Sequence, residues 1–392
     1  MKVLIFQSKR LSYDSSWCFT EMLCRSLKRQ GISVKLFLLS DDIASQEKDL
    51  RTLTRQHFDG IFDINSQLPN VMLDDRYYLD YFDSPFFHMI VDHPLHLHYS
   101  LRIPLRNYYV MCLDRYHKKY IEQYYPHIKE VFFFPFAGIP ATDFIPEAAA
   151  KLPVKERPME LLFPGTYTPL DYYRQQMEAV SSSQWEIACE ILSKMRHGST
   201  ETLEELYLRE IASDDDFFPL KLYKSRLIDR YIREWYRESI LQALLEAGIH
   251  VHVMGFRWEM FDAKNAVSHL IIHSPCSYTR QLAALTDSRI VLNVQPLFLD
   301  GPHDRVMNAM INKSVSATDD CIYLREHFTP GEDLILYDRN NPQNAAEQIQ
   351  NILRNTDLLE NMAQNGYCKT ARMHTWDQRI ENFVRKNSHL FH

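Results

Sequence analysis

The run His303-Asp304-Arg305 carries the side chains of an anion site, placed where an apolar run gives way to a helical pattern at 305–311. The first turn of a helix offers unpaired N–H groups and the positive end of the helix dipole. A guanidinium forks onto phosphate oxygens, and an imidazole adds one more donor. The plain alternative is that Asp304 caps the helix and its neighbours are solvated. A second candidate is Asp92-His93-Pro94, directly after the apolar run 87–91. A carboxylate or an imidazole held at a strand end can take a proton from a hydroxyl near neutral pH. Here the alternative is a turn in which Asp92 caps the next helix and His93 packs. His93, His96 and His98 lie close in sequence, but no HExxH spacing accompanies them, and they are read as non-ligands.

Several weaker signals sit after other apolar runs. Gly165-Thr166-Tyr167 follows 161–163, where one glycine lets backbone approach a ligand or simply makes a turn. Arg257 follows 250–254 and reads either as a phosphate contact or as a surface arginine beside Trp258. His273 ends the run 270–273, and Tyr278 opens a helix as a ligand contact or a packed face residue. Asp319 ends 315–318 and either accepts from hydroxyls or caps a helix. Arg10, Tyr13 and Asp14 lie in a polar loop after the first apolar run, without a specific pattern.

The elements needed to position these groups are legible as an alternation. Apolar runs at 3–6, 34–39, 60–64, 87–91, 108–113 and 131–136 alternate with helical patterns. A second series runs through 161–163, 250–254, 270–273, 290–294, 315–318 and 334–337. Strands alternating with helices predict parallel sheets with helices on both faces. The predicted plan is α/β: a first domain at 1–140, a Pro-rich linker at 141–158, a second domain at 159–375 and a terminal helix at 376–392. The stretch 182–247 is too long for one crossover helix and reads as a helical insertion. Ligands of open α/β sheets bind at the C-terminal strand ends, where all these candidates fall.

Composition narrows the function. The chain has 392 residues and a net charge of −7, with no basic face for nucleic acid. Only ten glycines are present, and neither GxGxxG nor GxxxxGK[ST] occurs, so dinucleotide and P-loop fingerprints are excluded. Seven scattered cysteines without a CxxC fit reduced thiols in a cytoplasmic protein. No apolar stretch reaches the ~18–20 residues of a membrane span, so no integral membrane segment is expected.

Four separated pieces appear in a familiar order: 288–296 (SRIVLNVQP), 301–310 (GPHDRVMNAM), 317–319 (ATD), and Pro330 to Leu334 with Tyr337, followed by His374, Trp376 and Arg379. They resemble the second domain of group-1-like glycosyltransferases of the CgeB kind, over about 161–379 without the insertion. The resemblance implies a GT-B architecture, two Rossmann-like domains facing a central cleft. It implies a nucleotide-sugar donor held by the second domain and a glycan, protein or small-molecule acceptor held by the first. It implies hexosyl transfer without a metal or other cofactor. The terminal helices would cross back onto the first domain. Asp300 and Asn308 stand where the group-1 pattern carries two glutamates, and Asn312-Lys313 replaces a glycine. Asn308 keeps the means to bond ribose hydroxyls through its donor and acceptor. On this resemblance Gly165, Thr166, Tyr167, Arg257, His273, Tyr278, Asp300, His303, Arg305, Asn308 and Asp319 form the donor side, and Asp92 and His93 the catalytic acceptor side. The rival expectations are a nucleotide- or sugar-binding protein without turnover and a nucleotide-sugar epimerase or hydrolase.

Overall fold

A computed structural model describes residues 1–7, 14–40, 42, 44–212 and 217–391. Arg10 and Tyr13 lie outside the described residues. The chain divides into two compact units, Met1–Phe136 with His374–His392, and Ala137–Met373.

The first unit holds β1 (Lys2–Gln7), β2 (Ser33–Leu38), β3 (Gly60–Ile64), a two-residue-per-arm hairpin of β4 (Met72–Leu73) and β5 (Arg76–Tyr77), β6 (Phe86–Ile90), β7 (Tyr108–Cys112) and β8 (Glu130–Phe133). Apart from the hairpin they form one parallel sheet in the order β2-β1-β3-β6-β7-β8. Its central strands β3 and β6 are buried at every position, which is why they read as continuous apolar runs rather than alternating ones. The final helix Trp376–Lys386 belongs to this unit. Asp377 accepts from Ser26 Oγ at 2.7 Å on the helix Ser15–Arg29.

The second unit holds β9 (Met159–Pro164), β10 (Val251–Met254), β11 (Leu270–His273), β12 (Ser288–Asn293), β13 (Val315–Asp319) and β14 (Ile335–Tyr337), all parallel, in the order β11-β10-β9-β12-β13-β14. Numbered from β9 this is 3-2-1-4-5-6, the dinucleotide-fold order. The chain reverses its winding between β9 and β12, and that switch point is where such sheets open a crevice at their C-terminal ends. Among the described residues five helices separate β9 from β10: Leu170–Val180, Ser182–Arg196, Leu203–Ile211, Phe218–Lys224 and Leu227–Glu246. The last one returns the chain to the sheet and buries Tyr231, Tyr236 and Leu244.

The stretch 141–158, predicted as a linker, is instead part of the second unit. Polar side chains of that unit claim it. Asn312 Oδ1 accepts from the Ala141 N–H at 2.8 Å, and Arg157, 1% exposed, donates to Ser288 O and Ser314 Oγ at 3.0 and 2.9 Å. A linker would leave these groups to water; here they hold the base of β12. None of the described helices is long and apolar enough to cross a membrane. The seven cysteines, all described, form no disulfide.

Candidate functional site

The β9–β12 switch point gathers the densest set of candidates. β9 ends at Pro164 and turns through Gly165, whose N–H donates to Met254 O at 2.9 Å. A Cβ on Gly165 would lie 3.1 Å from a Phe163 ring carbon and 3.6 Å from Arg305 Nη2. The tight approach is that of the Phe163 ring, and the Arg305 side chain lies behind it at ordinary contact distance. β12 ends at Asn293, whose Oδ1 accepts from Arg305 Nη1 at 2.7 Å while its Nδ2 donates to Thr318 Oγ1 at 2.9 Å. The Arg305 guanidinium also lies 5.0 Å from the Phe163 ring centre. It is half-buried and makes no ion pair among the described residues. Its partners are a neutral amide and an aromatic face, so its charge is uncompensated at contact distance. Burial pulls it down to about 10, which still leaves it fully protonated at neutral pH.

A second guanidinium stands beside it. Arg237, on the helix Leu227–Glu246, donates from Nη1 to Thr166 O and to Glu234 Oε2, both at 2.7 Å. It too lies on the Phe163 ring, 5.2 Å from the centre. Its positive charge contributes to the lowering at Arg305. Arg237 is ion-paired with Glu234, so of the two cations on this ring Arg305 is the one left open to an anion. Sequence reading missed Arg237 because it lies in the predicted insertion. The available signal was the four-residue spacing of Arg233 and Arg237, which puts both on one helix face.

The start of the helix Asp304–Ile311 is more crowded than expected. His303 Nδ1 lies 2.7 Å from Asp304 Oδ1 and 3.3 Å from the Arg305 amide nitrogen. The shorter contact, to a carboxylate, calls for a proton on Nδ1. Burial lowers the imidazole against the pull of Asp304, so the ring is neutral at neutral pH. Burial works against the Asp304 carboxylate, but His303, Arg305 and the Tyr278 hydroxyl together hold it well below the usual carboxylate range. An ionised carboxylate thus occupies the first turn and offsets the helix dipole. The anion-attracting part is the Arg305 guanidinium, flanked by the ion-paired Arg237, and the helix start serves mainly to aim Arg305.

Other candidates are committed to structure. Asn308, predicted for ribose, is 2% exposed. Its Oδ1 accepts from the Ile139 N–H at 2.8 Å, and its Nδ2 donates to Tyr278 Oη at 2.8 Å. It pins the entry of the chain into this unit and has no capacity left for a ligand. Tyr278 donates to Asp304 and so orients the helix start. Tyr167, 4% exposed, stacks on Trp258 and donates to Glu238 Oε1 at 2.6 Å; it is a core residue. Trp258 Nε1 in turn donates to Gly165 O at 2.7 Å, bracing the turn. Arg257 is exposed, in the left-handed backbone region at φ 67°, one residue before that tryptophan. His273 Nε2 contacts His252 Nδ1 at 2.8 Å, and the two rings stack. It sits on the sheet edge, three strand spacings, roughly 14 Å, from Asn293. Asp300 is buried beside the switch point. Asp319, 2% exposed, accepts from the Gln295 N–H at 2.7 Å, and burial pushes its carboxyl up to about 6. Asn293 and Gln295 were quoted in the sequence pattern without a role; both prove central.

In the first unit, Asp92 leaves β6 half-buried and accepts from Asn65 Nδ2 at 2.8 Å, at the neighbouring exit of β3. His93 does not match its predicted catalytic role. It is 4% exposed, its Nδ1 accepts from the Leu95 N–H at 3.1 Å, and its ring packs edge-on against His117 and Tyr120. The sequence places His93 before Pro94, where a capping acceptor is needed, and the fold uses it so. His98 Nδ1 lies 3.0 Å from Tyr125 Oη. Among the described residues no three His, Cys, Asp or Glu side chains are grouped to hold a metal ion.

With this geometry in place, the similarities to known proteins take on meaning. The model of a family described as glycosyl transferase-like matches residues 233–385. The matched stretch contains Arg237, β10 to β14 and the whole helix start at Arg305. Sucrose-phosphate synthase from Thermosynechococcus elongatus superposes with a TM-score of 0.57 at 10% identity, covering 100% of this chain and 99% of that one. An alpha-glucosyltransferase in complex with UDP and a 13-mer DNA gives 0.56 at 11% identity, covering 98% of each. Anabaena HepE in complex with UDP-glucose gives 0.53 at 10% identity, covering 99% and 100%. The fold is that of the GT-B glycosyltransferases. No curated protein sequence matches the chain.

Proposed function

We propose that this protein transfers a sugar, a hexose, from a nucleotide-sugar donor to an acceptor hydroxyl. Within the matched stretch, the pieces at 288–296, 301–310 and 317–319 support the CgeB kind. The carrying observation is the uncompensated Arg305 guanidinium beside Arg237 at the β9–β12 switch point. In the reaction the bond from the sugar C1 to the diphosphate oxygen breaks, and its electron pair stays on the diphosphate. A bond from the acceptor oxygen to C1 forms, and the acceptor proton leaves. Arg305 and Arg237 stabilise the charge that builds on the departing diphosphate, an electrostatic contribution that is often the largest in catalysis. With cationic charge supplied by two side chains, the proposal includes no metal and no other cofactor. Asp92 is the first unit's candidate for the acceptor proton. UDP and UDP-glucose, bound by two of the structural relatives, are the first donors to try.

Incubation of the full chain with UDP-, GDP- and CDP-sugars tests this. Slow release of free sugar from one of them without acceptor, and faster consumption with a glycan or small-molecule acceptor, is the expected outcome. A second reading, a binding protein without turnover, draws on Asn308, which stands at a family glutamate position and is fully spent on Ile139 and Tyr278. Tight binding of a nucleotide-sugar with no sugar release under any acceptor would select that reading.

A further inference from the structure

Gln295 follows β12 by two residues and is 2% exposed. Its backbone N–H is taken by Asp319, yet neither its side-chain oxygen nor its side-chain nitrogen has a hydrogen-bond partner among the described residues. Burying a carboxamide with both ends unpaired forfeits its hydration without compensation. Such a group in a folded protein calls for a partner that the chain alone does not supply. Two residues on, Leu297 holds a left-handed backbone at φ 57°, unfavourable for a leucine. An unpaired amide and a strained turn therefore meet at the exit of β12.

The sheet order says which part of a donor would come here. The guanidinium pair marks the diphosphate at the ends of β9 and β12. A nucleotide-sugar is linear, with its base on one side of the diphosphate and its sugar on the other. On the β10–β11 side β11 ends in His273, a flat ring stacked on that of His252, which suits a base. On the β13 side it ends in Gln295 and Asp319, a donor-acceptor amide and a carboxyl group, which suit a polyol. We infer that Gln295 is a specificity-determining residue that reads hydroxyl groups of the transferred sugar through both ends of its carboxamide. This rests on the donor reading given above and adds to it the residue that selects the sugar.

The test is titration calorimetry on the full chain with UDP and UDP-glucose, and in parallel with GDP and GDP-mannose, for wild type, Gln295→Leu and Gln295→Glu. Wild type should bind one nucleotide-sugar more tightly than its diphosphate. Gln295→Leu should lose about tenfold in affinity for that nucleotide-sugar and stay within twofold for the diphosphate, which also reports that the variant is folded. Gln295→Glu, which keeps an acceptor and loses the donor, should fall between. The thermal midpoint of ligand-free Gln295→Leu should equal or exceed that of wild type, because no internal bond is removed. Equal losses for diphosphate and nucleotide-sugar would assign Gln295 to the ribose and overturn the inference. Unchanged affinities with a lowered midpoint would make it a structural residue and overturn it too. Wild type binding no nucleotide at all would instead bring down the donor reading, and this inference with it.

Discussion

The exits of β6 and of β12 are equivalent places, each the C-terminal end of a central strand in a six-stranded parallel sheet, and they use similar residues differently. After β6 come Asp92 and His93; after β12, and a loop, come His303, Asp304 and Arg305. In the first unit the polar groups satisfy the fold: His93 caps the turn at Pro94 and Asp92 is tied to Asn65. In the second, carboxylate and imidazole satisfy each other, Tyr278 holds the carboxylate, and the guanidinium is left with a neutral amide. A charge is available for a ligand only when its neighbours are spent on one another. The presence of His, Asp or Arg at a strand end does not decide that; the pairing does.

The largest effect should come from removing the one uncompensated charge. Arg305→Ala is expected to weaken nucleoside diphosphate binding about 10- to 100-fold, the worth of a charge-assisted bond. Binding of the matching nucleoside should change by less than about threefold. Equal losses for both, measured by titration, would move the anion site elsewhere and erase the contrast between the two exits. Next comes Asn308→Ala. It should cost about 2–3 kcal/mol in urea unfolding, because the buried Ile139 N–H loses its acceptor and Tyr278 its donor. A loss below about 0.5 kcal/mol would return Asn308 to the ligand-binding set.

His93→Ala should remove a cap worth about 1 kcal/mol, lowering the thermal midpoint by about 2–4 °C. Turnover of any identified donor should stay within about threefold. A large drop in rate at unchanged stability would make the two exits functionally alike. A pH-dependent effect, separate from this ranking, concerns Asp63 in β3, fully buried, bonded to Ser66, with a carboxyl that burial pushes up to about 7 from its ordinary 3.8. A raised carboxyl favours the fold when protonated. Its contribution is complete below pH 3.8 and is lost as pH rises through 7. Asp63→Asn should therefore match wild type near pH 4 and melt higher above pH 8. Parallel melting curves at both pH values would show that Asp63 is ionised without penalty.

Much of this molecule is legible in its sequence. The strands of the two parallel sheets announce themselves as apolar runs between helical patterns; the central ones, such as β3 and β6, do so because a strand covered on both faces has no polar side to show. The run His303-Asp304-Arg305 is also visible, as are the pieces of the family pattern around it. What is not legible is the partner of each polar group. Arg237 reaches the Phe163 ring from a helix more than seventy residues downstream of β9. Asn308 spends itself on the backbone of Ile139, and the Gln295 carboxamide ends with no partner among the described residues. Strand and helix identity follow from local periodicity, which the chain carries in itself. The freedom of a charge or an amide depends on groups brought together from distant positions and on the water they exclude, and only the folded arrangement fixes those.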